Sequence, residues 1–377
     1  MKKQPQLKRI FTNIAMIGLV SGLLSCGGSK HDASLASNSP ATSYLATSLV
    51  VDNAATPGYG AGKSPQIDAN LVNAWGLAFN PTGFVWVANN ATATSTLYDG
   101  NGVVQSLVVT LPAGQAGSAS PTGIVFNASS DFKATQAGLS GSSAFLFAGE
   151  AGTISGWSPS VDRTHAVTMV DNGASAAVYK GLATASFGGA NFLYATDFHN
   201  NRVDVFDATF SKATLPGKFT DPTLPAGYAP FGIQAIGANI YITYALQSAA
   251  AHDEVHGAGL GIVDLFDSGG NFIKHLVAVG GALNAPWGVA IAPAGFGAFS
   301  GDLLLANFGD GKINVFDPVT GSMVGTLSQA NGQAIIIDGL WGIAFGNGVN
   351  NQPITTLFFT AGPGDEAHGA YGRIDAQ

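Results

Sequence analysis

The chain has 377 residues, of which 46% are hydrophobic, only 10% are charged and 51 are glycine. That hydrophobic share can bury enough surface to offset the entropy of ordering, which excludes a disordered chain. Fifteen Lys and Arg against 23 Asp and Glu, a formal net charge of −8, leave no positive field for phosphates and exclude a nucleic-acid partner.

Residues 1–25 read as a targeting segment. Lys2, Lys3, Lys8 and Arg9 precede an apolar run over 10–24 that is too short to span a bilayer comfortably. The run ends Leu23-Leu24-Ser25-Cys26, which resembles the lipobox of bacterial lipoproteins. The resemblance implies cleavage before Cys26 and lipidation of its thiol. A plain signal peptide would leave Cys26, the one cysteine of the chain, as a lone thiol in an exported protein. Gly27 and Gly28 follow with no Asp behind the cysteine, so the resemblance points to the outer membrane or the cell surface. Residues 26–41 are a flexible tether rich in Ser, Ala and Gly. Without the four leader cations, 11 basic residues face 23 acidic ones, and cationic, neutral or metallic partners are favoured over anionic ones.

From residue 42 to 377 one pattern recurs six times. Each copy opens on a short apolar strand around a glycine: Gly76, Gly123, Gly181, Gly232, Gly288 and Gly342. A second apolar strand follows at 85–88, 145–148, 192–196, 240–243, 303–306 and 357–360. In five copies a third strand ends in an aromatic residue, at Tyr98, Trp157, Phe206, Phe266 and Phe316, followed by Asp or Ser. A variable fourth strand fills the remainder, as at 103–109 and 271–276. Four antiparallel strands per unit at a period near 50 predict an all-β, six-bladed β-propeller. The sixth copy stops after its third strand, whereas Tyr44 to Val51 is a strand with no partner in its own unit. We expect that strand to pair with the third strand of the last blade and close the ring, making 42–377 a single domain.

Two copies align without a gap, Asp197 to Asp207 with Asn307 to Asp317. An Asp or Asn, a basic residue and then V-x-V-F-D resemble the NHL-repeat propellers. The whole span is similar to a family of exported bacterial six-bladed propellers of uncharacterised function. The resemblance implies the fold and leaves the reaction open, because propellers host binding and catalysis alike.

The loops joining strands two and three should emerge on one face, around the channel mouth. They carry Asn90, Glu150, His199, His252, Asp253, Glu254, His256, Asp365, Glu366 and His368. The string D-E-x-H-G-A occurs twice, from Asp253 and from Asp365. Duplication with simple turn chemistry explains it. A divalent cation would explain it too: Zn²⁺ or Cu²⁺ on His256 and His368 with His199 or His252, or Ca²⁺ on Asp253, Glu254, Asp365 and Glu366. Trp75, Phe231, Trp287 and Trp341 directly precede their glycines, as wedges between inner strands or as a rim that stacks on a ligand. Lys180 takes the same position in the third unit, as a contact for a substrate carboxylate or as a solvated side chain. Gly58 to Ser64 lacks the first glycine of a phosphate loop, and neither G-x-S-x-G nor a cysteine nucleophile is present. Gluconolactonase-like propellers place a metal-binding Glu in the first inner strand, and none lies around residues 75–79. Two functions remain: a lipid-anchored propeller binding a small molecule or partner protein, with or without a cation, and a metal-dependent hydrolase or lyase at the channel mouth. The lipid is the one expected contact with a membrane.

Overall fold

The computed structural model describes residues 41–60 and 64–377; the leader, Cys26 and most of the tether lie outside them. Six antiparallel sheets follow one another along the chain, and among the described residues the only helical pieces are two three-residue 3-10 turns. Blade one runs Ala74–Phe79, Val85–Asn89, Thr94–Tyr98, Val104–Thr110. Blade two runs Pro121–Phe126, Phe145–Gly149, Thr153–Trp157, Val167–Asp171. Blade three is Tyr179–Phe187, Ala190–Asp197, Arg202–Phe206, Lys212–Ala213. Blade four is Tyr228–Ile236, Asn239–Gln247, Ile262–Asp267, Phe272–Val277. Blade five is Pro286–Ile291, Leu303–Asn307, Ile313–Phe316, Met323–Thr326.

Blade six closes the ring as expected. Its strands Leu340–Phe345, Leu357–Ala361 and Ala370–Ala376 are completed by Tyr44–Val51, antiparallel to the last of them from Tyr44 opposite Ala376 to Val51 opposite Ala370. A further two-residue strand, Gln66–Ile67, covers the outer edge of Tyr44–Val51 in parallel. Two additions go beyond the four-strand pattern: a hairpin, Lys133–Gln136 with Leu139–Ser142, inserted in blade two, and Glu254–Val255, paired with the second strand of blade four.

The repeated glycines follow from how tightly the inner strands converge. A Cβ on Gly232 would lie 2.1 Å from the carbonyl oxygen of Trp287 in the next blade, and one on Gly76 would lie 2.4 Å from that of Thr122. Gly123, Gly181, Gly288 and Gly342 face their neighbours in the same way. Threonines on adjacent strands stitch these contacts: Thr196 Oγ1 donates to Phe231 O at 2.7 Å, and Thr360 Oγ1 donates to Trp75 O across the closing seam.

The core is divided among the blade interfaces, with one apolar cluster between each neighbouring pair. The third-strand aromatics Tyr98, Trp157, Phe206, Phe266 and Phe316 are all buried in them. The Asp that follows the aromatic closes the turn into strand four. Asp99 Oδ1 accepts from the backbone N–H of Asn101 and Val103, and Asp317 Oδ1 from that of Val319 and Thr320.

Candidate functional site at the channel mouth

A seventh apolar cluster sits on the axis, where the inner strands begin. Trp75, Phe231 and Trp341 are no more than 1% exposed, with Trp287 and Phe308 against them. Trp75 stacks on Trp341 at 3.7 Å between centroids, and Trp341 on Phe308 at 3.8 Å. Trp287 Nε1 donates to Lys180 O at 2.9 Å and Trp341 Nε1 to Asn73 Oδ1 at 3.0 Å. These aromatics spend their faces on one another and plug the channel. Beyond the plug, the later residues of the inner strands line a cavity of about 260 Å³ with mainly apolar side chains, to which Thr184 and Gln234 add a hydroxyl and an amide.

Charge gathers on the loop side of the plug. Lys180 is 1% exposed rather than solvated, because its ammonium has been given partners. Nζ lies 2.5 Å from Glu150 Oε1, 3.5 Å from Asp253 Oδ1 and 5.1 Å from the Trp75 ring centroid. Burial pulls its pKa down, but Glu150 and Glu254 outweigh that and hold it above the ordinary lysine value. Asn90 Nδ2 donates to the second oxygen of Glu150 at 2.9 Å. One chain of contacts thus crosses blades one to four.

Blade six contributes Glu366. Its turn holds two successive non-glycine residues in the left-handed region, Asp365 at φ 52° and Glu366 at φ 64°, an arrangement costing about 1–2 kcal/mol per residue. Such strain persists only where the surroundings impose it. Burial, with Glu254 and Glu150 next in weight, pushes the Glu366 carboxyl up to about 7, and Lys180 opposes them only in part.

The residues expected as metal ligands divide among different partners. Glu150, His252 and Asp253 offer ligand atoms within 4.8 Å of one another. The Lys180 ammonium, however, already stands against two of the three and takes the place a metal cation would need. His256 Nε2 lies 3.3 Å from Glu254 Oε1, and its ring meets Phe308 edge-on at 4.9 Å. The bond to Glu254 raises the His256 pKa. His368 turns elsewhere: Nδ1 lies 3.1 Å from Asp52 Oδ2 and 3.0 Å from Asn53 Nδ2, beside the end of the closing strand. His199 is half-buried and contributes its carbonyl to Gln247. Among the described residues, neither set at metal-ligand spacing includes His199, His256 or His368.

A second set was not foreseen from the sequence: Asp221, Asp264 and His275, in and beside blade four. Burial and the neighbouring Asp221 raise the Asp264 carboxyl to about 8.

No family model matches this chain. It is 33% identical over 321 residues to an uncharacterised protein of Acanthamoeba polyphaga mimivirus, covering 83% of this chain and 77% of the relative. A second uncharacterised mimivirus protein is 30% identical over 317 residues, with 81% of each chain covered. The chain belongs to the family of these mimivirus proteins. Among solved structures, virginiamycin B lyase from Staphylococcus aureus is 16% identical over 85% of this chain and 84% of its own, with a TM-score of 0.43. A glucose dehydrogenase is 13% identical over 82% of this chain and 98% of its own, with a TM-score of 0.48. Neither likeness bears on the chemistry of this chain.

Proposed function

We propose that this protein is an exported, lipid-anchored binding propeller whose loop-rich mouth receives the cationic group of a ligand or partner protein, such as an amine or a guanidinium. The observation that carries the reading is the surplus of carboxylates there. Glu150, Asp253, Glu254 and Glu366 converge from blades two, four and six on a single buried ammonium. A second cation would relieve the crowding that lifts Glu366, and the acidic mature chain would attract it. The anchor is supported by the leader charges, the short apolar run and the lone Cys26.

Calorimetric titration of the mature domain with Lys- and Arg-containing peptides, and with acidic counterparts, tests the reading. Basic peptides should bind more tightly as pH rises through 7, and Glu254→Gln with Glu366→Gln should weaken them about tenfold or more. Equal binding of acidic peptides, or indifference to both changes, would refute it. For the anchor, Cys26→Ser should move the protein out of the detergent phase on partitioning of cell-envelope extracts.

One observation favours a second reading, a hydrolase or lyase at the same mouth. A carboxyl near 7 beside a buried lysine suits proton transfer at neutral pH. Turnover of any substrate that Glu366→Gln abolishes while binding persists would establish it.

A further inference from the structure

Blade four holds a second polar cluster outside the mouth. Asp264 lies on the third strand, His275 opposite it on the fourth, and Asp221 on the connection that enters the blade from blade three. Asp264 is 0% exposed and Asp221 7%. His275 Nδ1 stands 2.8 Å from Asp264 Oδ1 and 3.4 Å from Asp221 Oδ2. The four facing atoms, both oxygens of Asp264, Asp221 Oδ2 and His275 Nδ1, are buried; the His275 ring and the Tyr244 hydroxyl reach Asp264, and among the described residues no lysine or arginine pairs with it. Buried groups this close share a focus, and two carboxyl groups that face each other without a permanent cation between them are costly.

The neighbouring repeat provides an internal control. Asp204 occupies the same third-strand position in blade three, two residues before the terminal aromatic. It is answered there by Lys212 at 2.8 Å, Arg202 at 2.9 Å and the Tyr179 hydroxyl at 2.8 Å. Blade four keeps the carboxylate, replaces the arginine with Ile262, offers an imidazole on the fourth strand and adds a second carboxylate, Asp221. Two buried carboxyl groups and one imidazole thus stand where blade three sets one carboxylate against two cations.

We infer that Asp221, Asp264 and His275 form a binding site for a divalent transition-metal cation of the Zn²⁺ kind. Two oxygens and one imidazole nitrogen are the ligand types such an ion takes. Bonds of roughly 2.0–2.2 Å put tetrahedral ligand atoms about 3.3 Å apart, close to the spacings here. His275, 27% exposed at its side chain, provides the way in from solvent, and three protein ligands leave a coordination position open.

The test uses the mature domain, treated with chelator, loaded with Zn²⁺ alone and passed through a desalting column before elemental analysis. About one equivalent should remain, and Co²⁺ in its place should give the visible absorption of a tetrahedral N/O site. His275→Ala and Asp221→Asn should each lower Zn²⁺ affinity at least tenfold, whereas His252→Ala at the mouth should leave it unchanged. Circular dichroism confirms that each variant is folded, and Asp264→Asn supplies a third change if one of them fails to fold. Loss of all Zn²⁺ from the wild type, or retention by the folded His275 and Asp221 variants, would overturn the assignment. Failure of peptide binding at the mouth would leave these outcomes unaffected.

Discussion

Lys180 shows how one side chain can depend on partners far away in the chain. It sits in the ring position that four other blades fill with an aromatic, and nothing adjacent in sequence marks it as buried. Its main partner, Glu150, lies 30 residues upstream in a different blade, and Asp253 comes from the blade after its own. Removing the ammonium strands Glu150 against an apolar plug. Lys180→Met should therefore cost about 3–5 kcal/mol in urea unfolding, and adding Glu150→Gln should recover most of it; an unaltered midpoint for the single variant would contradict the pairing. Glu366 makes a prediction of opposite character. A carboxyl at about 7 in the fold and 4.5 by nature binds its proton more tightly folded than unfolded. Its contribution to stability is complete below about 4.5, falls as pH climbs to about 7, and is lost above that. The difference in stability between wild type and Glu366→Gln, followed by denaturant titration across this range, should change in that direction and no other. The identity of both residues was visible in the sequence, along with the face they occupy. Their mutual environment was not, because no local spacing encodes contacts between separate sheets.

Among the elements, the inner strands were the most legible, and the reason is steric. A glycine recurs at each convergence because any side chain there meets the backbone of the next blade. Gly232→Ala should lower stability by about 1–3 kcal/mol or more, by forcing the Trp287 carbonyl aside. Gly281→Ala is the matched control: its added methyl would meet nothing nearer than 3.9 Å, and its φ needs no glycine. Equal melting temperatures for the two variants would remove the close-approach explanation. Irregular spacing between the glycines also carried information that the regular pattern concealed. The widest interval, from Gly123 to Gly181, accommodates the extra hairpin of blade two, and the next widest, from Gly232 to Gly288, the added strand Glu254–Val255. The cluster of Asp221, Asp264 and His275 had no comparable signature. Its three residues come from a connection and two strands, and only the alignment of Asp264 with Asp204 gave a hint, in the loss of the cations around it.

For the molecule as a whole, the fold was readable because a ring has to close. Five complete units, one incomplete unit and one spare strand admit a simple solution, and Tyr44–Val51 takes it. Removing residues 44–51 should strip the outer edge of blade six and expose a row of unpaired backbone groups along Ala370–Ala376. The shortened domain should lose its single cooperative thermal transition and elute as aggregates in size-exclusion chromatography, whereas removal of residues 1–40 alone should change neither. A monomeric, cooperatively melting product of the longer deletion would mean that the seam contributes little. Kinship with the mimivirus proteins extends over most of this domain.

The seam also dictates an order of events during biosynthesis. Tyr44–Val51 is made before blade one, yet its hydrogen-bonding partner follows all the other strands of the ring, with the Gln377 N–H bonding the Ser43 carbonyl at 2.9 Å. The nascent polypeptide must therefore carry an unsatisfied strand while all the intervening blades are made, and ring closure waits for Ala370–Ala376, a slow step typical of pairings so distant along a chain.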